Sequence, residues 1–104
     1  MLRIVDAHHH LWDLRVNRYP WLTDARREML IGDPAPIARN YLLSDFLADS
    51  ATQNVVKSVH LEAGHSGDDP VLETAWLQSV ADDPASRGFP HAIVAFANLA
   101  DPDF

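Results

Sequence analysis

The chain has 104 residues, enough for one small domain, and its 47% hydrophobic and 22% charged residues are ordinary for a globular protein. It has no cysteine, which excludes disulfides and thiolate zinc sites, and it lacks the roughly 20 consecutive apolar residues that would span a bilayer. The formal net charge of −7 comes from the acidic residues 44–104, and without a basic stripe we expect no nucleic-acid partner.

The first predicted strand covers residues 3–10, a short run that begins with β-branched side chains. Residues 14–40 are rich in Arg and Pro and predict a long loop with at most a short turn of helix. Ser44 is then the expected N-cap of a helix that ends near Gln53 and Asn54.

A second strand is predicted over residues 55–63 and a third over residues 91–99, both nearly continuous apolar runs typical of parallel strands. Between them, Asp69 as cap and Pro70 at the first helical position start a helix that stops at residues 82–84. The expected apolar face of this helix comprises Leu72, Trp76, Val80 and Ala75.

Strands that alternate with helices predict an α/β fold built from βαβ units around a parallel sheet. Three strands cannot close a barrel, and a complete eight-stranded barrel needs about 250 residues. We therefore expect residues 1–104 to be the N-terminal segment of a single barrel domain, truncated after its third strand.

A run of histidines ends the first predicted strand. Because strand side chains alternate, we expect Asp6, His8 and His10 on one face and His9 on the other. Two imidazoles at this spacing can bind one divalent ion. The Asp6 carboxylate either accepts an N–H from one of these two imidazoles or caps backbone N–H groups. The alternative for the histidine run is a purification-tag remnant or a surface patch without a metal.

Polar residues also interrupt the second strand, where Ser58, His60 and Glu62 are expected to share a face. His60 and Glu62 are candidates for catalysis, with Glu62 orienting substrate or transferring protons. The alternative is that these two side chains form an internal hydrogen-bonded pair. Asn98 occupies the equivalent end of the third strand and is a candidate for substrate binding.

Several segments, taken in order, resemble the amidohydrolase-2 branch of the amidohydrolase superfamily. They are residues 4–13, 19–22, 58–63, 69–77 and 98–102. The Tyr-Pro-Trp-Leu sequence at 19–22 is similar to that of sugar-lactonase-like members such as L-fuconolactonases. The resemblance implies a TIM-like (β/α)8 barrel and hydrolysis of a small lactone or related carbonyl ester.

The resemblance also implies site residues. His8 and His10 match the first-strand pair that binds a divalent metal, with zinc expected here, or that contacts substrate in a metal-free version. Glu62 matches a polar position that varies among members. Trp12, Tyr19 and Trp21 are expected to form a wall or lid over the bound substrate. The alternative is that these side chains only pack the loop.

The family's remaining histidines and its late Asp base would lie beyond Phe104, so we expect residues 1–104 alone to be inactive. Two other functions stay open at this point: a metal-dependent decarboxylase of the same family, and a non-catalytic fragment that self-associates through exposed sheet edges. The N-terminus lacks the apolar core of a signal peptide, so we expect a cytoplasmic protein with no membrane partner.

Overall fold

The computed structural model describes residues 1–24, 32–66 and 69–103. Its elements are β1 (Ile4–His9), α1 (Pro20–Thr23), α2 (Leu43–Asp49), β2 (Val55–Leu61), α3 (Val71–Asp82) and β3 (Ala92–Val94), with short 3₁₀ turns at Ala35–Ile37 and Pro84–Ser86. The predicted long loop falls partly on residues 25–31, which lie outside the described ranges, and its described parts hold α1 and the first 3₁₀ turn.

The three strands form one parallel sheet in the order β1-β2-β3, which confirms the α/β prediction. Helices α2 and α3 pack against the same side of it, because one core joins residues of both helices to residues of the sheet. That core is built around Leu11, Phe46, Leu77 and Phe89, with Val55 and Ile93 packed against it. Burial of these side chains is the main stabilising contribution.

The ladder between β1 and β2 is irregular in two places. Asp6 pairs with Ser58 and His9 pairs with His60, so β1 has one more residue than β2 between the two pairs. Such a β-bulge re-aims side chains and ends regular alternation. The expected alternation through the histidine run is therefore wrong between positions 6 and 9.

The start of α2 differs from the prediction that Ser44 caps it. The helix begins at Leu43, and the Asp45 carboxylate accepts the backbone N–H of Leu42 at 2.8 Å. A carboxylate in the first turn satisfies an otherwise unpaired donor and interacts well with the helix dipole. The chain then turns through Asn54, whose φ of 55° is a left-handed conformation that Asn tolerates.

Helix α3 ends at Asp82, as predicted, but it begins at Val71, one residue later than predicted, with Pro70 at the N-cap. The Asp69 carboxylate accepts the first helical N–H, that of Val71, at 2.9 Å. The predicted apolar face is partly wrong. Glu73 and Leu77 are the buried residues, whereas Leu72 is 52% exposed. Both carboxylate oxygens of Glu73 accept the backbone N–H of Ala63, and this contact turns the Glu73–Leu77 side of the helix inward.

Strand β3 is shorter than predicted because its ladder partner ends. Val94 pairs with Leu61, the last residue of β2, and the following residues have no ladder partner in the described chain. Large apolar side chains on the strands stay exposed, with Val5 at 55% and Val94 at 51%. Among the described residues, no helix has the length and apolarity needed to cross a membrane.

Candidate functional site

His8 and His10 lie together at the carboxyl end of β1. Their ring centroids are 5.2 Å apart, with the ring planes nearly perpendicular. His10 Nδ1 lies 2.9 Å from the carbonyl oxygen of Leu61. Because a carbonyl only accepts, Nδ1 carries the proton and donates, which leaves the lone pair of a neutral His10 on Nε2. A second nitrogen fixed in this way is typical of metal-binding histidines.

Asp6 takes the second of the two roles considered for it. Its Oδ1 accepts the backbone N–H of His8 at 3.0 Å, so the carboxylate caps the backbone inside the bulge. Asp6 also lines a cavity of about 480 Å³ beside β1 together with His9, His10 and Trp12. The bulge thus places Asp6 with His9, where strict alternation would have separated them.

His9 and His60 form a buried pair on the side of the sheet that the helices cover. The His9 ring stacks on Phe46, with centroids 4.3 Å apart, and its Nε2 lies 2.9 Å from Ser58 Oγ. His60 is fully buried, and its Nε2 accepts the backbone N–H of Leu11 at 2.9 Å. The Leu11 carbonyl oxygen is farther from this nitrogen, at 3.5 Å, so the N–H is the partner.

Burial disfavours the charged form of both rings of this pair. It lowers the pKa of His60 from 6.5 to about 4, with the neighbouring His9 ring adding to the shift. Burial likewise lowers the pKa of His9, and the nearby Asp6 carboxylate opposes that shift. Their geometry gives His9 and His60 a structural role, although sequence reasoning placed His60 among the catalytic candidates.

Glu62 and Asn98 line a second cavity, of about 820 Å³, at the carboxyl ends of β2 and β3. Glu62 follows the last residue of β2, and its Oε2 accepts the backbone N–H of Gly64 at 2.9 Å. The alternative considered for His60 and Glu62, an internal hydrogen-bonded pair, does not form in the described structure: His60 bonds to Leu11 and Glu62 to Gly64. Of the predicted site residues, Asp6, His10 and Trp12 line the first cavity and Glu62 and Asn98 line the second, whereas His8, His60, Tyr19 and Trp21 line neither.

Glu73 also lines the second cavity, and sequence reasoning missed it. It is only 4% exposed, and burial raises the pKa of its carboxyl group, as does the neighbouring Glu62. Glu73 lies four residues before the buried Leu77, a spacing that places both on one helix face, but the face predicted from the sequence included neither residue.

The aromatic residues Trp12, Tyr19 and Trp21 anchor the segment that follows β1. Trp12 Nε1 donates to the carbonyl of Arg39 at 2.7 Å, and Trp21 Nε1 donates to that of Ala63 at 2.6 Å. Tyr19 is fully buried, which raises the pKa of its hydroxyl to about 12. These contacts are those of loop packing, and they also place Trp12 in the wall of the first cavity.

No group of three His, Asp or Glu residues positioned to hold one metal ion occurs in residues 1–24, 32–66 and 69–103. His8 and His10 can supply two nitrogen ligands, and a catalytic zinc normally has three protein ligands with a water. The donor set therefore fits part of a metal site, and further ligands would have to come from elsewhere.

Comparison with known proteins identifies a protein of similar sequence. An uncharacterized protein of Sinorhizobium fredii (strain NBRC 101917 / NGR234), y4mH, is 49% identical over 102 residues. These residues are 98% of this chain and 33% of the relative, so the chain spans about a third of the length of the curated relative that it matches. No family model matches the chain, and no solved structure matches it.

Proposed function

We propose that this chain forms the first three strands of a (β/α)8-barrel hydrolase that opens small lactones or related carbonyl esters, with His8 and His10 as ligands of a divalent metal. One observation carries the proposal. His10 Nδ1 donates to the Leu61 carbonyl, which leaves the lone pair of the ring on Nε2, and the centroid of the His8 ring lies 5.2 Å from that of His10. Imidazole ligands without thiolates suit zinc among several divalent ions, and a metal-free version would use the same rings to contact substrate.

Three features support a barrel. The parallel strands follow one another in chain order, both larger helices pack on the same side, and strand side chains such as Val5 and Val94 are exposed on the sheet. In a closed barrel, the side away from the helices becomes the packed interior, and active sites form at the carboxyl ends of the strands. The matching relative is about three times as long as the matched region, which leaves room for five further strands.

The proposed reaction adds one water across the ring ester. A new C–O bond forms at the carbonyl carbon, the ring C–O bond breaks, and the released oxygen takes a proton to give a hydroxy acid. A bound divalent ion would supply polarisation of the lactone carbonyl. His8 and His10 would hold the ion at the end of β1, and Glu62, which accepts the Gly64 N–H just after the end of the neighbouring strand β2, would orient the substrate from the second cavity. Asn98 does not end the third strand as predicted but lies in the segment that follows β3, from where it would hydrogen-bond substrate hydroxyls.

Charge at the second cavity favours a neutral substrate. Four carboxyl groups line it, from Glu62, Glu73, Asp101 and Asp103, and among its described lining residues there is no Lys or Arg. Like charges close together in a partly enclosed cavity repel strongly. A neutral lactone enters such a cavity more easily than the carboxylate that a decarboxylase binds, and the acid product of hydrolysis is expelled.

Enzyme assays test the reaction. A longer form of the protein, extending beyond Phe104, is expected to release acid from neutral sugar lactones in a pH-stat, and residues 1–104 alone are expected to release none. Carbon dioxide release from aromatic acids would instead identify a decarboxylase. Failure of the longer form on both substrate classes would remove the enzymatic proposal.

Metal binding is tested separately, by competition for zinc with a chromophoric chelator. His8→Ala and His10→Ala are each expected to reduce zinc affinity by at least about tenfold, since each removes one direct ligand. His91→Ala is the matched control, because His91 is an exposed histidine immediately before β3 whose Nδ1 accepts the Ser58 N–H. Equal zinc affinity in all three variants would exclude the His8–His10 site.

A second function, self-association of a non-catalytic segment, is favoured by the exposed apolar strand residues Val5, Val56 and Val94. Exposed apolar sheet surfaces and unpaired edges promote pairing with other chains. Sedimentation of residues 1–104 at increasing concentration tests this function, and a monomer at all concentrations would exclude it. The cytoplasmic location stays a prediction.

A further inference from the structure

The ends of β1 and β2 are joined by two reciprocal contacts between side chain and backbone. The His10 side chain donates to the backbone carbonyl of Leu61, and the His60 side chain accepts the backbone N–H of Leu11. Each strand thus offers one imidazole to the backbone of the other, next to the last ladder pair, His9 with His60. The two contacts continue the strand pairing beyond the bulge.

His60 can make its contact in only one tautomer. Its Nε2 accepts from Leu11, so the proton of the neutral ring must be on Nδ1. The ring is fully buried and is held by ring contacts with its neighbours. Its centroid lies 5.5 Å from that of His9 and 6.0 Å from that of His10, both in edge-to-face arrangements. A buried ring with fixed neighbours holds its backbone partner in one place.

We infer that His60 is a positioning residue, which fixes the Leu11 backbone so that His10 keeps its Nδ1 bond to Leu61 and its Nε2 open to a ligand. His10 immediately precedes Leu11, so movement of the Leu11 amide displaces the His10 ring from the Leu61 carbonyl. The expected consequence of this positioning, metal binding at His10, rests on the proposed function. The structural content of the inference, the single tautomer of His10, is independent of that function.

Two variants of similar polarity separate positioning from simple packing. In His60→Gln, the side-chain amide reaches to about where Nε2 lies and can still accept the Leu11 N–H. In His60→Asn, the amide is one methylene shorter and cannot reach it. Both substitutions place a buried amide where the ring was. A loss of stability that the two variants share therefore reflects only the lost packing of the ring. Urea unfolding of each variant measures that loss.

The primary readout is long-range ¹H–¹⁵N correlation of the histidine rings at mildly alkaline pH, with residues 1–104 labelled on histidine. The unsubstituted chain and His60→Gln are expected to show His10 as the Nδ1–H tautomer alone. His60→Asn is expected to show His10 as a mixture of tautomers. The control His91→Leu removes another ring that accepts a backbone N–H on this sheet, and it should leave His10 unchanged.

The second readout is zinc affinity, which is expected to fall by about 10- to 100-fold in His60→Asn and to be restored in His60→Gln, as for residues that orient a metal ligand. A single Nδ1–H tautomer of His10 in His60→Asn would overturn the inference, as would equal effects of both substitutions on that tautomer. If the unsubstituted chain binds no zinc, the proposed metal site fails while the tautomer comparison still decides the positioning role.

Discussion

His9 and His60 are buried under the helices, whereas His8 and His10 lie at the open end of β1, although three of these four histidines are adjacent in the chain. Burial lowers the pKa of both rings of the buried pair, and one ring nitrogen of each is bonded, that of His9 to Ser58 and that of His60 to the Leu11 N–H. In the open pair, one ring nitrogen of His10 is anchored and the other is available. Residue type alone therefore does not assign a role, whereas burial and the hydrogen-bond partner of each nitrogen do.

The largest effect on stability is expected from removing the aromatic ring that stacks on His9 of the buried pair. Phe46→Ala deletes a buried ring that stacks on His9 and contacts Phe89, so the free energy of unfolding should fall by about 3–5 kcal/mol. Urea unfolding followed by circular dichroism measures it. A loss comparable to that of an exposed substitution would mean that His9 is not packed as described.

The next largest effect is a pH dependence of the free energy of unfolding that His60 of the buried pair causes. Between pH 6.5 and about 4, unfolded chains bind a proton at His60 that the folded protein does not, so stability falls as pH falls. The loss attributable to His60 is at most about 3 kcal/mol. His60→Gln removes this titration, and its stability should depend less on pH over that interval. Parallel pH profiles for the two proteins would contradict the buried neutral ring.

A smaller effect is expected where the loop meets the strand ends. Gly64 has φ of +70°, and a Cβ there would lie 2.8 Å from the Trp21 ring, so Gly64→Ala combines backbone strain with displacement of the indole. We expect a loss of about 2 kcal/mol and a red shift of tryptophan fluorescence. Gly32→Ala is the control, since φ is +106° there but nothing lies within 4 Å of the added Cβ. Equal losses and spectra would show that the contact with Trp21 is unimportant.

The smallest effect on stability is expected at the open pair. His8→Ala removes an exposed ring, and the free energy of unfolding should change by no more than about 0.5 kcal/mol, while zinc affinity falls. Chemical unfolding beside chelator competition measures both quantities on one sample. A large loss of stability with unchanged zinc affinity would reverse the roles assigned to the two pairs.

The sequence predicted the order of the strands and helices and the α/β class because apolar runs and a Pro-containing helix start are local signals. It missed the bulge between Asp6 and His9, since an extra residue in one strand depends on how the partner strand aligns. It also missed the burial of Glu73, which depends on the Ala63 N–H at the end of another strand.

For the candidate site, the spacing of the histidines predicted that His8 and His10 lie close together, but it could not assign the nitrogens of His10. That assignment needs the Leu61 carbonyl, 51 residues away in the chain. The same limit applies to His60, whose polar character within a strand suggested catalysis. Only the location of the Leu11 amide identifies its contact as structural.

The indole anchors of Trp12 and Trp21 have a kinetic consequence. A loop that acts as a gate must open and close during each turnover, and such motions often limit the rate of an enzyme. Here two N–H groups tie this segment to the carbonyls of Arg39 and Ala63, so the Trp12 ring forms a fixed wall of the first cavity. A ligand that reaches this wall meets a preorganised surface, and its association is then limited by diffusion and orientation.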